Sequence, residues 1–115
     1  MSLSDRHCVP CQGGIPPLER SAAEKLLEEV PAWELNPEAS RIQRRFAFRN
    51  FRQALDFVNQ VGELAEQEGH HPDITFGWGY ATVVFFTHKI RGLHENDFVM
   101  AARTDRLYDG MAASS

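Results

Sequence analysis

Cysteine is almost missing from this chain, and the two that occur, Cys8 and Cys11, stand in a lone CxxC near the N-terminus. So few thiols exclude a disulfide framework, and two cannot by themselves complete a zinc site. No long hydrophobic run occurs either. The longest strongly apolar stretch, Ala81 to Thr87, is far short of the ~20 residues that a membrane-spanning helix requires. The N-terminus is polar and lacks the apolar segment of a signal peptide, so a cytoplasmic location is expected, with no membrane partner. Positive charge is not in excess. Twelve Lys and Arg face sixteen Asp and Glu, a net charge of −4, which leaves no electrostatic footprint for nucleic acid. The one basic cluster is Arg41, Arg44, Arg45 and Arg49, and on a strand Arg44 and Arg45 point to opposite faces. Internal repeats and low-complexity tracts are absent.

What remains is the composition of an ordinary globule, 43% hydrophobic and 24% charged, in 115 residues that suffice for one domain. Residues 1–18 hold Pro10, Gly13, Gly14, Pro16 and Pro17 without periodicity and read as a flexible N-terminal arm; residues 19–110 read as a single domain. Ser21 and Glu24 have capping-box spacing before Leu26, Leu27 and Val30, which predicts a short helix ending before Pro31. Trp33 to Leu35 reads as a short strand. Ser40 to Phe48, with Ile42, Phe46 and Phe48 at even spacing, is a longer one. Asn50 caps the longest helix, about 51–68, whose stripe is Ala54, Phe57, Val58, Val61, Leu64 and Ala65; Gly69 stops it. Asp73 to Tyr80 and Tyr80 to His88 form a hairpin turning near Gly79, the first strand with a bulky face (Ile74, Phe76, Trp78, Tyr80) and an almost bare one. Glu95 to Tyr108 reads as the last helix. The order is α-β-β-α-β-β-α. Short connections within each strand pair require an antiparallel sheet, and three helices on one face make a two-layer α+β domain with a four-stranded antiparallel sheet. Since β-branched and aromatic residues occupy both faces of the stretch Val83 to His88, the uncovered face is expected to be apolar and to be buried by a second copy of the chain, as a homodimer or tetramer.

Four of the five histidines lie between Gly69 and Asp97. His70 and His71 follow the helix stop directly, and Pro72 pushes His71 into extended geometry, so the pair occupies a rigid corner. A hairpin that folds back carries His88 to the same end of the sheet. Glu66, one turn before His70, is placed to hold an imidazole tautomer, and Asp97 offers a second anionic contact. Three imidazoles and two carboxylates at one corner suit general acid chemistry near neutral pH. Zinc is the competing reading. However, neighbouring residues in an extended segment point apart, so His70 and His71 would not easily share an ion, and no HExxH arrangement occurs. His7 beside Cys8 leaves a subunit-bridging site conceivable.

With Glu66, His70-His71-Pro72, Trp78, His88 and Asp97 at these spacings, the sequence resembles the pterin-4a-carbinolamine dehydratases, from about Pro17 to Leu107, including Pro31-Ala32-Trp33 and Phe46 to Phe51. The resemblance implies dehydration of 4a-hydroxytetrahydropterin to quinonoid dihydropterin, in recycling the pterin used by aromatic amino acid hydroxylases, with no cofactor. It further implies that His70 and His88 serve the leaving hydroxyl as acids, that His71 binds substrate and is a candidate base, and that Glu66 and Asp97 orient these groups or the pterin. Pro72, Thr87 and Trp33 would line the pocket. Some relatives also bind a transcription factor and some degenerate ones act as assembly factors, so a non-catalytic binding scaffold of the same fold is the alternative. The chain departs from many relatives in carrying His94 before the last helix, where Ser or Thr is usual.

Overall fold

The computed structural model describes residues 2–9 and 15–114, with side chains as far as Met111. The elements are α1 (Arg20–Leu27), β1 (Glu34–Leu35), β2 (Ile42–Ala47), α2 (Phe51–Glu68), β3 (Asp73–Gly77), β4 (Tyr80–Phe85) and α3 (Glu95–Ser114), with 3-10 turns at Leu3–Asp5 and His88–Ile90. The strands form one sheet in the order β1-β2-β4-β3, antiparallel throughout. The α+β architecture and the order α-β-β-α-β-β-α are those the sequence predicts.

Register decides which side chains make the core. Ile42 pairs with Phe85, Arg44 with Val83 and Phe46 with Ala81, while Ile74 and Phe76 pair with Val83 and Ala81 from the other side. These residues share one face, and the helices cover it. Phe46, Phe57, Phe85 and Phe98 are fully buried there together with Val61, Val83 and Leu93. Each such side chain contributes roughly 1.5–3 kcal/mol by leaving water. The stripe foreseen on α2 is the buried one: Ala54, Phe57, Val61, Leu64 and Ala65 are buried and Val58 packs beside them.

Several local expectations are revised. Arg20 begins α1, with Glu19 as a cap residue that makes no side-chain bond, so Ser21 and Glu24 lie inside the helix and not at its cap. The chain is instead delivered to α1 by tertiary contacts. Leu18 N–H donates to Leu93 O at 2.9 Å, and Pro17 packs so closely on Gly92 that a Cβ there would meet Pro17 Cβ at 2.5 Å. Trp78 does not continue the buried face of β3: the strand ends at Gly77, and Trp78 sits in the turn, 72% exposed. The bare position at Gly77 is filled by the Tyr80 ring, 2.8 Å from where its Cβ would be, and not by a helix or ligand. The last helix runs past Tyr108 to Ser114.

The open face is also less apolar than expected. Tyr80, Thr82 and Val84 point outward from β4, but their partners are Ala47, Arg45 and Gln43 on β2 and Gly77, Thr75 and Asp73 on β3. Arg45 lies over the Tyr80 ring and Arg41 over Phe86. An apolar line on one strand, read alone, does not reveal polar neighbours on the next. The segment read as an arm is described at residues 2–9 and 15–18. Leu3 is buried in the core, with Arg106 reaching Ser4 and Asp5 from α3. Cys11 and residues 10–14 lie outside the described residues.

Candidate active site

Three chain ends meet at one corner of the molecule: the C-terminus of α2, the turn after β4, and the N-terminus of α3. Each is fixed by local chemistry. Asn50 caps α2 by accepting the Gln53 N–H at 2.9 Å, and Gly69 ends it in the left-handed region, φ 66°. That reversal turns His70 inward and leaves His71 outside. After β4, a 3-10 turn carries His88. Thr87 bridges to Gly92 and fixes the loop that leads into α3.

His70 Nε2 lies 2.6 Å from Asp97 Oδ1, and its ring stacks on Phe85 at an interplanar angle of 17°. Asp97 is fully buried. Its Oδ2 accepts from Thr87 Oγ1 and from the His94 N–H, each at 2.9 Å. A buried carboxylate is expensive unless its lone pairs are used and a positive partner is near. Here the partners are one imidazole, one hydroxyl, one amide and the N-terminal end of α3. His94, the residue that departs from many relatives, is a helix cap: its Nδ1 accepts the Asn96 N–H at 3.0 Å. His71 Nε2 lies 2.5 Å from Glu66 Oε2, and this pair stands in solvent, with side chains 59% and 74% exposed. Glu66 therefore holds His71 and not its helical neighbour His70. In both dyads Nε2 is the ring nitrogen that faces the carboxylate.

His70, His71 and His88 all line one cleft of about 480 Å³, with Phe86, Thr87 and Lys89 beside them. Its volume suits a small-molecule ligand. Phe86 packs on the His88 ring at 4.1 Å between centroids. His70 and His71 face different carboxylates, a divergence unsuited to a shared metal ion.

Of the residues singled out from sequence, His70, His71, His88 and Thr87 line the cleft, while Asp97 and Glu66 stand behind two of the imidazoles. Pro72 is half-buried and off the cleft wall. Trp33 belongs to the core: it is buried against Phe46 and Phe85 and donates its Nε1–H to Asp105 at 2.8 Å. Burial pushes the Asp105 carboxyl up, although Trp33 and Arg44 donate to it. Cys8, Val9, Glu68, Phe86, Lys89 and Asn96 also line the cleft and were not expected there from the sequence. Glu68 and Asn96 were hidden among ordinary polar helix residues, and no local pattern marks them. Burial pushes the Glu68 carboxyl up, but hydrogen bonds from His7 and the Cys8 N–H, with Arg103 beside it, outweigh that and hold it below its ordinary value.

An antiparallel sheet under three helices, with an imidazole-lined cleft at one corner, is the class of protein that the geometry defines, and comparison with known proteins narrows it. The family model described as pterin 4 alpha carbinolamine dehydratase matches residues 16–107. A provisionally named pterin-4-alpha-carbinolamine dehydratase 1 of Cupriavidus pinatubonensis is 62% identical over 109 residues, covering 95% of this chain and 94% of its own. One from Methylococcus capsulatus is 62% identical over 106 residues, covering 92% and 93%. Among solved structures, a transcriptional coactivator/pterin dehydratase from Brucella melitensis superposes with a TM-score of 0.76 at 27% identity, over 80% of this chain and 98% of that one. A pterin dehydratase-like protein identified as a RuBisCO assembly factor in the alpha-carboxysome gives 0.59 at 28% identity, over 67% and 89%. The chain belongs to the pterin-4a-carbinolamine dehydratase family.

Proposed function

We propose that this protein is a hydro-lyase that converts 4a-hydroxytetrahydropterin to quinonoid dihydropterin and water. The observation that carries the reading is the convergence of three imidazoles on one ligand-sized cleft, two of them held by carboxylates. The reaction balances with protons alone. An imidazolium protonates the C4a hydroxyl, the C–O bond breaks with its electron pair leaving on water, and the N5 proton passes to a neutral imidazole as the C4a=N5 bond forms. His70 and His88 serve the hydroxyl, and His71 binds the ring and takes the N5 proton. Asp97 holds His70 in one tautomer and supports its positive charge, as Glu66 does for His71. No cofactor enters.

The cellular setting that goes with that substrate is recycling, in the cytoplasm, of the pterin that an aromatic amino acid hydroxylase consumes. The proposed assembly is a homodimer or tetramer that covers the open sheet face around Tyr80 and Val84, mixed though that face is. Light scattering showing only monomer at micromolar concentration would contradict the assembly. The rival reading is a binding scaffold, suggested by the assembly-factor neighbour. A scaffold has no need of an oriented three-histidine cleft.

The deciding assay follows decay of the carbinolamine absorbance generated by a hydroxylase, with and without this protein. His70→Ala and His71→Ala are each expected to slow dehydration by about two orders of magnitude, the scale of a lost acid or base, while leaving the fold intact. Near-wild-type turnover in the double variant would exclude the dehydratase reading.

A further inference from the structure

The cleft has a wall that lies outside the family's matched region. Residues 2–9 precede position 16, where the match begins, yet Cys8 and Val9 line the cleft with the histidines. The segment is anchored at one end by Leu3, buried in the core, and clasped at the other by two side chains. Asn96 grips Val9 as a neighbouring strand would: its Oδ1 accepts the Val9 N–H at 3.0 Å and its Nδ2 donates to Val9 O at 2.7 Å. Glu68 Oε1 accepts the Cys8 N–H at 2.7 Å. Both clasping side chains are largely buried. Both also sit beside the residues that orient the imidazoles. Glu68 lies between Glu66 and His70 on α2, and Asn96 directly precedes Asp97 on α3. The scaffold that aims the histidines therefore also sets the position of this segment. Val9 is an aliphatic side chain on the cleft rim, 58% exposed, and shares the lining with Phe86 and the three imidazoles.

We propose that residues 2–9 form a substrate-contacting wall of the cleft, in which Val9 and Cys8 determine specificity and Glu68 and Asn96 are positioning residues that latch them. The proposal rests on the pterin reading for its ligand: the wall packs against the edge of the bicyclic ring opposite the imidazoles, Val9 and Phe86 supplying the apolar contacts.

The test uses the full chain carrying Cys11→Ser, which leaves Cys8 as the sole thiol, and biopterin as the probe ligand. Iodoacetamide labelling at neutral pH reads how often the segment lifts. The thiol is a slow reporter while docked, because burial and the carboxylates of Glu68 and Asp97 push it up to about 12. Calorimetry reads biopterin binding separately. Saturating biopterin is expected to slow Cys8 labelling. Asn96→Ala, which leaves the charges around the thiol unchanged, is expected to speed labelling about tenfold. Asn96→Ala and Glu68→Gln are each expected to weaken biopterin by about tenfold, with KM rising more than kcat falls. Glu68→Gln is the gentler variant should Asn96→Ala disturb the start of α3. Biopterin that binds by calorimetry, with Cys8 labelling unchanged and equal affinity in both variants, would overturn the wall and leave the pterin reading standing. A folded, Cys8-protected chain that binds no biopterin would overturn the pterin reading and, with it, the substrate role of Val9 and Cys8.

Discussion

Asp97 and Glu66 hold their imidazoles at nearly the same distance, yet one works in a dry interior and the other in water. An exposed ion pair contributes only about 0–1 kcal/mol, whereas a buried acceptor deprived of matching donors costs about 1–3 kcal/mol. Asp97→Asn is therefore expected to lower the unfolding free energy by about 1–3 kcal/mol, because its amide N–H₂ cannot accept from Thr87 Oγ1 or the His94 N–H if Oδ1 is kept for His70. Dehydration should fall as well. Glu66→Gln should leave stability within about 0.5 kcal/mol, so that any lost activity is chemical. Denaturant melts of both variants beside their turnover check this; equal stability losses would contradict the contrast. At this scale the sequence was informative wherever a residue's environment is local. His70 and His71 were legible because Gly69 and Pro72 restrict the backbone around them. Trp33 was not, since its surroundings depend on Asp105, 72 residues away. Glu66 was expected to serve an imidazole, but which one depends on how the left-handed residue turns the chain.

The helix α2 acts as a ruler for the site: its start is set by Asn50, and its end delivers two histidines. This separates stability from function in an observable way. Asn50→Ala removes a side-chain cap and is expected to cost about 1 kcal/mol. Gly69→Ala is expected to cost a similar ~1 kcal/mol, and for a purely conformational reason: φ is 66°, and an added Cβ would meet nothing within 4 Å. The two variants should thus melt alike. Only Gly69→Ala should lower turnover, because any relaxation of that residue rotates His70 away from Asp97. Matched losses of activity would show that the helix end does not position the site. Element order and type were readable because the 3.6-residue period is strong in α2, the 2-residue period is visible in β2, and β4 is rich in β-branched and aromatic residues. Ends were less readable where tertiary contacts set them, as at α1, which Leu18, Pro17 and Gly92 position. Trp78 misled for the same reason: alternation continued in the sequence after the ladder had ended.

Across the whole molecule, the features least visible in the sequence are those joining distant parts. The open sheet face is a mosaic of β4 with polar neighbours, and the N-terminal segment reaches the cleft through Glu68 and Asn96, contacts that no periodicity encodes. Glu68 is the hub of this long-range assembly. It receives the Cys8 N–H and His7 from one end of the chain and lies 3.4 Å from Arg103 on α3. Its carboxyl is held below the ordinary 4.5, because those donors and the Arg103 charge outweigh its burial. The sign of the pH effect follows. A carboxyl that is more acidic in the folded than in the unfolded chain contributes stability above its unfolded value and loses it as pH falls through its folded value. The stability gap between wild type and Glu68→Gln is therefore expected to be full at neutral pH and to shrink progressively as the pH falls below 4.5. Denaturant unfolding of the two proteins from neutral to acid pH measures it. A Glu68→Gln gap that stays constant from neutral to acid would mean that Glu68 holds the N-terminal segment by shape alone and that its charge adds nothing to the clasp.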